Sequence, residues 1–119
     1  MEVRVDIDST ICTYKLVNGK PTVSPNEDVI AKVNKLHDNG HIITMWTSRK
    51  FSLYIYTKRQ LREWGVRYRF LDMGKPEFSL FIDDRSINVH AWMKGAELPA
   101  PPECGLEDVL KETETTPCA

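Results

Sequence analysis

Asp6 and Asp8 close the apolar run VRVDID, with only Ile7 between them. Like charges this close raise each other's pKa and desolvation adds to the cost, so something cationic must sit with them. Asp83 and Asp84 close a second apolar run, SLFIDD. Carboxylates converging on one edge call for a hard cation with oxygen ligands, and Mg²⁺ is the usual one where waters and phosphate complete an octahedron. A carboxylate beside such an ion can attack phosphorus and form an aspartyl-phosphate, while a second carboxyl protonates the leaving oxygen and later deprotonates water. Asp6 and Asp8 have the spacing for that division of labour, because on an extended strand they share a face. The Thr47 hydroxyl, with Ser48 competing for the role, can hydrogen-bond a phosphoryl oxygen. Lys75, in the loop Gly74-Lys75-Pro76, can neutralise charge there, and the planar fork of Arg49 can bind an anionic group.

The elements that must position these groups follow from hydrophobic period and punctuation. Val3 to Ile7 reads as a strand, His41 to Thr47 as a buried strand, and Ser79 to Asp84 as a strongly apolar strand ending in two acids. Asn18-Gly19 predicts a hairpin flap after the first acids. Ser24, Pro25 and Glu27 form a capping-box pattern for a helix that ends at Gly40, with Val29, Ile30, Val33 and Leu36 as its apolar face. A second helix spans about Ser52 to Trp64 and ends at Gly65. Val66 to Asp72 alternates apolar and basic residues as an edge strand does, and Ser86 to Lys94 suits one more short helix. The expected fold is α/β: a three-layer, Rossmann-like, mainly parallel sheet with helices on both faces. Residues 1–96 form its domain, and residues 97–119 a Pro-rich, acidic, frayed tail with room for one helical turn. In such sheets ligands bind outside the carboxyl ends of the strands, where all of these polar groups fall.

A chain of 119 residues fits one domain. Sixteen basic residues are balanced by seventeen acidic ones, a net charge of -1, so bulk electrostatics gives no reason to expect nucleic acid and any anion site must be local. No segment has the apolar length of a signal peptide or membrane span, which leads to a cytoplasmic expectation. Cys12, Cys104 and Cys118 are odd in number and widely spaced, which argues for free thiols over a disulfide framework or a zinc site.

The order DIDST, then a strand ending in TS, then GKP, then IDD resembles the four motifs of the haloacid dehalogenase superfamily of phosphohydrolases. Asp6, Asp8 and Thr10 match the family's DxDx(T/V) motif as they stand. The resemblance covers roughly the first ninety residues. It implies Asp6 as nucleophile and Asp8 as general acid and base, and phosphoryl binding by Thr47 and Lys75. It also implies an Mg²⁺ ion held by the Asp6 carboxylate, the Asp8 backbone carbonyl, Asp83 and Asp84. Only residues 48–82 separate Thr47 from Asp83 and the flap is short, so the chain resembles capless members found in bacterial capsule and sugar biosynthesis clusters. A phosphorylated sugar or related metabolite is the implied substrate, and an open site suits a large substrate or a homo-oligomer whose neighbour covers it. Ser9 stands where glycine is common, with little consequence for the chemistry.

Other functions share parts of this pattern. A phosphotransferase uses the same intermediate with an alcohol in place of water. A non-catalytic module could retain phosphate binding alone, although the intact set Asp6, Asp8, Thr47, Lys75 and Asp83 argues against it. An open site also admits a nucleic-acid 3′ phosphate, and the arginines and aromatics of REWGVRYRF have the composition of a stacking platform; the near-neutral charge weighs against it. These aromatics fit packing into the core, with the arginines in solvent.

Overall fold

The computed structural model describes residues 1–115, which fall into two compact units, Met1–Leu80 and a second that begins at Phe81. In the first unit the chain runs through β1 (Glu2–Val5), the hairpin strands β2 (Cys12–Val17) and β3 (Lys20–Pro25), and helix α1 (Glu27–Asp38). Strand β4 (Ile42–Trp46), a 3₁₀ turn (Phe51–Leu53), helix α2 (Tyr54–Glu63) and strand β5 (Phe70–Asp72) complete it. Helices α3 (Val89–Met93) and α4 (Leu106–Thr115) belong to the second unit. The chain is thus α/β, with a parallel three-stranded sheet in the order β1-β4-β5 and a separate two-stranded antiparallel hairpin. Parallel neighbours require crossovers, which the helices α1 and α2 supply. No helix of the described residues is long and apolar enough to cross a membrane.

Alternation along β4 locates the core. Ile43, Met45 and Thr47 are fully buried while Ile42, Thr44 and Trp46 are only partly so, the period of two expected of a strand. Ile7, Ile11, Val29, Val33 and Leu61 belong to the same buried core, each aliphatic side chain contributing about 1.5–3 kcal/mol relative to exposure. The pairing of Val5 with Met45 and of Trp46 with Asp72 brings the carboxyl ends of all three strands to one edge. Everything that follows β1, β4 and β5 in sequence therefore emerges at the same place.

The hairpin forms where Asn18-Gly19 placed it, with both residues at positive φ, 52° and 74°. Helix α1 starts differently from expectation. Asn26 rather than Ser24 caps it, its side chain accepting from the Val29 N–H at 3.5 Å, while Ser24 and Pro25 complete β3 opposite Thr13 and Cys12. Proline is tolerated at that strand end because no ladder donor is needed there.

Of Val66 to Asp72 only the last three residues are strand. The Val66 and Arg67 N–H groups are already taken by the Leu61 carbonyl and the Asn34 side chain. The larger correction concerns Ser79 to Asp84, which is not a strand. Leu80 and Ile82 are 75% and 87% exposed, and the segment has no ladder partner among the described residues. An apolar run is necessary for a buried strand but does not create the neighbouring edge that a strand needs.

The first compact unit ends at Leu80 and the second begins at Phe81. Within the expected tail, α4 is a ten-residue helix whose first turn carries Glu107 and Asp108, acids that complement the positive end of its dipole. Cys104 is a free, exposed thiol, and the free thiol expected at Cys118 lies outside the described residues.

Ser9 adopts a left-handed conformation, φ 63°, in the turn where the Thr10 and Ile11 N–H groups both donate to the Ile7 carbonyl. That conformation costs a residue with a side chain about 1–2 kcal/mol, and glycine relieves it against an entropic loss of about 0.5–1 kcal/mol. Ser9→Gly is therefore expected to stabilise the fold by about 0.5 kcal/mol in urea unfolding. A lowered midpoint would show that the turn is not strained.

Candidate functional site

Four segments meet at the carboxyl edge of the sheet: the turn after β1 with Asp6 and Asp8, the hairpin strand β2 with Tyr14, the loop after β4 with Thr47, Ser48 and Arg49, and the loop after β5 with Lys75. Backbone hydrogen bonds hold these loops in place. The Thr47 N–H donates to the Asp72 carbonyl at 3.0 Å, the Lys75 N–H to the Thr47 carbonyl at 2.9 Å, and the Gly74 N–H to the Arg49 carbonyl at 3.0 Å. The loop carrying Lys75 is thereby stitched to the loop carrying Arg49.

Asp8 and Arg49 form the tightest polar contact. The guanidinium is bidentate, with Nε donating to Oδ2 at 3.2 Å and Nη2 to Oδ1 at 2.9 Å. The Tyr14 hydroxyl also donates to Oδ1. Arg49 is anchored in turn: its Nη1 donates to the Thr57 hydroxyl at 3.1 Å, and its guanidinium carbon lies 5.9 Å from the centre of the Tyr56 ring. Its side chain is 9% exposed and that of Asp8 33%. Burial works to raise the Asp8 pKa, but the hydrogen bonds from Arg49 and Tyr14 and the charge of Arg49 outweigh it, and the carboxyl is held below its ordinary value. For Tyr14, burial and the adjacent Asp8 anion act in the same direction and push the phenol up to about 12.

Asp6 has a separate cation. Lys75 Nζ lies 3.5 Å from Asp6 Oδ1, with the ammonium 4.9 Å from the centre of the Trp46 ring and 5.2 Å from that of Phe78. The aromatics bury the lysine stem, leaving 12% of the side chain exposed, while Asp6 remains 41% exposed. The Asp6 carboxylate accepts no hydrogen bond among the described residues, so its oxygens are available to an electrophile or a cation. Gly74, at φ 74°, lets the Lys75 loop pass close to Phe51, whose ring carbon would lie 2.9 Å from an added Cβ.

Thr47 is fully buried. Its hydroxyl accepts from the Arg49 N–H at 3.2 Å and keeps its own hydrogen to donate. Ser48 is partly buried beside it. Cys12 is buried with its thiol on the Ile7 carbonyl, and burial pushes its pKa up, which makes it inert rather than nucleophilic.

Asp83 and Asp84 lie in the second unit. Asp83 Oδ1 accepts from the Asp84 N–H at 2.9 Å, and the Asp83 carbonyl from the Ser86 hydroxyl at 3.4 Å, so these groups shape a local turn. Among the described residues no three His, Cys, Asp or Glu side chains are grouped to hold a metal. The Asp6 carboxylate is a hard oxygen donor of the kind Mg²⁺ prefers, and the fit of the first unit to such an ion rests on that residue.

Tyr14 and Thr57 are site residues that the sequence did not single out. Tyr14 sits at the start of the hairpin that the Asn-Gly signal had placed beside the acids, so hairpin register alone could have found it. Thr57 follows Arg49 across a helix start and has no local signal. A cavity of about 710 Å³ lies elsewhere, along α2, lined in part by Lys58, Arg59, Arg62 and Arg67. We place the site at the acids, where side chains of different elements converge. Lys58, Arg59 and Arg62 form a charged face of α2, and Arg67 is already paired with Asp38.

No family model and no curated protein matches the chain. A crystal structure of an MCSG target from Vibrio cholerae is similar in fold, with a TM-score of 0.62 and 21% identity over 96% of this chain and 98% of that one.

Removing Arg49 leaves Asp8 partly buried without its main partner. Arg49→Met is expected to cost about 2 kcal/mol in urea unfolding at neutral pH, less than a fully buried pair because Asp8 is one-third exposed. A depressed carboxyl pKa contributes stability that is complete above the ordinary value of 3.8 and disappears as pH falls through the lowered folded value. Wild type should therefore exceed Asp8→Asn in stability at pH 7, with the gap closing as pH drops below 3.8. A constant gap across that range would exclude Asp8 ionisation as its source.

Proposed function

We propose that the chain is a phosphohydrolase that removes phosphate from a small phosphorylated metabolite through an aspartyl-phosphate on Asp6. The observation that carries this reading is the pairing of an exposed, hydrogen-bond-free Asp6 carboxylate with a largely buried Lys75 ammonium 3.5 Å away. A nucleophile with open oxygens stands there next to a fixed positive charge, and phosphoryl transfer depends chiefly on positioning and electrostatic stabilisation. In this reading Asp6 Oδ attacks phosphorus as the bond from phosphorus to the leaving oxygen breaks, Asp8 gives that oxygen a proton, Lys75 neutralises charge on the phosphoryl oxygens, and the Thr47 and Ser48 hydroxyls donate to them. Asp8 then takes a proton from the water that hydrolyses the intermediate. Mg²⁺ held by Asp6 would add neutralisation of phosphate charge. The sugar phosphates expected from sequence remain members of this substrate class. The reading includes a Rossmann-like, three-layer arrangement for the sheet and helices.

Phosphate release should depend on added Mg²⁺ and be abolished by Asp6→Asn, while Lys75→Met should reduce kcat/KM by about 10²-fold. Release that survives Asp6→Asn would place the nucleophile elsewhere. Phosphorylated alcohol appearing in place of free phosphate, when acceptor alcohols are added, would identify a phosphotransferase.

A further inference from the structure

The cavity of about 710 Å³ along α2 shares no lining residue with the site at the acids, and it has the size of a small-molecule pocket. Lys58, Arg59 and Arg62 line it from the helix. All three are exposed, no carboxylate lines the cavity with them, and none of the three is ion-paired among the described residues. Lys58 and Arg62 stand four residues apart and Arg59 and Arg62 three, spacings at which like charges destabilise a helix. In a chain with a net charge of -1 this concentration of positive charge is local, and an anion seated there removes the repulsion.

The rest of the lining, from Gly65 to Tyr68, is fixed before any ligand arrives. The Asn34 side chain donates to the Gly65 carbonyl at 2.8 Å and accepts from the Arg67 N–H at 2.8 Å, while the Val66 N–H donates to the Leu61 carbonyl at 3.0 Å. Val66 is buried and Tyr68 half-buried. Asp38 holds the Arg67 guanidinium through Nη1, which leaves Nε and Nη2 without a hydrogen bond among the described residues. The Tyr68 hydroxyl also makes none there, and burial raises its pKa, which keeps it a donor at neutral pH.

We propose that this cavity is a second binding site, for a nucleoside diphosphate whose phosphates meet Lys58, Arg59 and Arg62 and whose base lies against Ile55, Val66 and Tyr68. The proposal goes beyond the phosphohydrolase reading and does not depend on it. Three cations without a counter-ion set the charge of the ligand. A terminal phosphate carries about −1.5 to −2 at neutral pH and an inner one adds a further charge, so a diphosphate matches them where a monophosphate leaves one over. Lys58 and Arg62 lie about one helical turn apart, roughly 5–6 Å between Cβ atoms, which suits adjacent phosphates, and a guanidinium meets phosphate oxygens with paired donors. The lining decides the remainder of the ligand. Ile55, Val66 and Tyr68 offer apolar and aromatic surface that a flat base uses and an inorganic polyphosphate does not. A cavity bounded by one helix and one short segment holds a single nucleotide, whereas a single strand needs an extended track for successive bases.

The test is isothermal titration calorimetry of the full chain with ADP, in EDTA and without Mg²⁺ so that no Mg²⁺-dependent turnover consumes the ligand. ADP should bind one to one, and Lys58→Gln and Arg62→Gln should each weaken it about tenfold, the loss of one charge-assisted contact to phosphate. Both side chains are exposed and without an ion pair, so these variants fold as wild type does. Lys75→Met should leave the affinity unchanged. Tyr68→Leu should weaken ADP about tenfold and inorganic pyrophosphate not at all, because only the nucleotide has a ring to stack. Binding lost in Lys75→Met and kept in Arg62→Gln would move the ligand to the acids and overturn the inference, as would the absence of any binding. Pyrophosphate held as tightly as ADP would overturn the assignment to a nucleotide. An oligothymidylate held far more tightly than ADP would overturn it too, in favour of a single-strand surface.

Discussion

The bidentate contact between Arg49 and Asp8 is the constraint on which the rest of the site depends. Two acids separated by one residue cannot both sit at the edge of a buried strand unless each is compensated. The chain provides a separate cation for each, Arg49 for Asp8 and Lys75 for Asp6. The compensation is unequal. Arg49 is nearly buried and makes directional hydrogen bonds to both oxygens, whereas Lys75 approaches Asp6 as a point charge at 3.5 Å. One acid is consequently locked and the other left open.

The same contact ties secondary structure together. Through Arg49 the turn after β1 is joined to the loop after β4, through Thr57 to α2, and through Tyr14 to the hairpin. Backbone bonds from Gly74 and Lys75 add the loop after β5. Three strand ends and a flap thus share one polar cluster above an aliphatic core of Ile7, Ile43, Met45 and Leu61. The fully buried hydroxyls of Thr47 and Thr57 are tolerated at this level because each accepts a hydrogen bond from Arg49.

Aromatic side chains set the remaining geometry. Trp46 and Phe78 lie within cation–π distance of Lys75, and Phe51 packs where Gly74 has no Cβ. A flexible lysine held this way loses little further freedom when it meets an anion. With Tyr14, Leu16 and Val17 exposed, the flap is attached by its polar contact with Asp8 and by the buried Cys12 at its base.

Local signals in the sequence were sufficient where one residue type settles one backbone choice. Asn18-Gly19 determined the hairpin, because both residues accept positive φ, and the short apolar runs marked β1 and β4. The acids at the end of β1 and the hydroxyls at the end of β4 were legible for the same reason: strand period and strand end are local properties. Ser79 to Asp84 had an equally clear pattern and did not become a strand, because pairing depends on a neighbouring edge that no local pattern supplies. Helix α1 began at Asn26 rather than Ser24 because strand pairing of the preceding residues competed with capping. What only the tertiary structure decided was the partner of each charge. Arg49 reads in sequence as an anion binder and in the fold as the clamp on Asp8, since a guanidinium pairs with whichever carboxylate packing brings within reach.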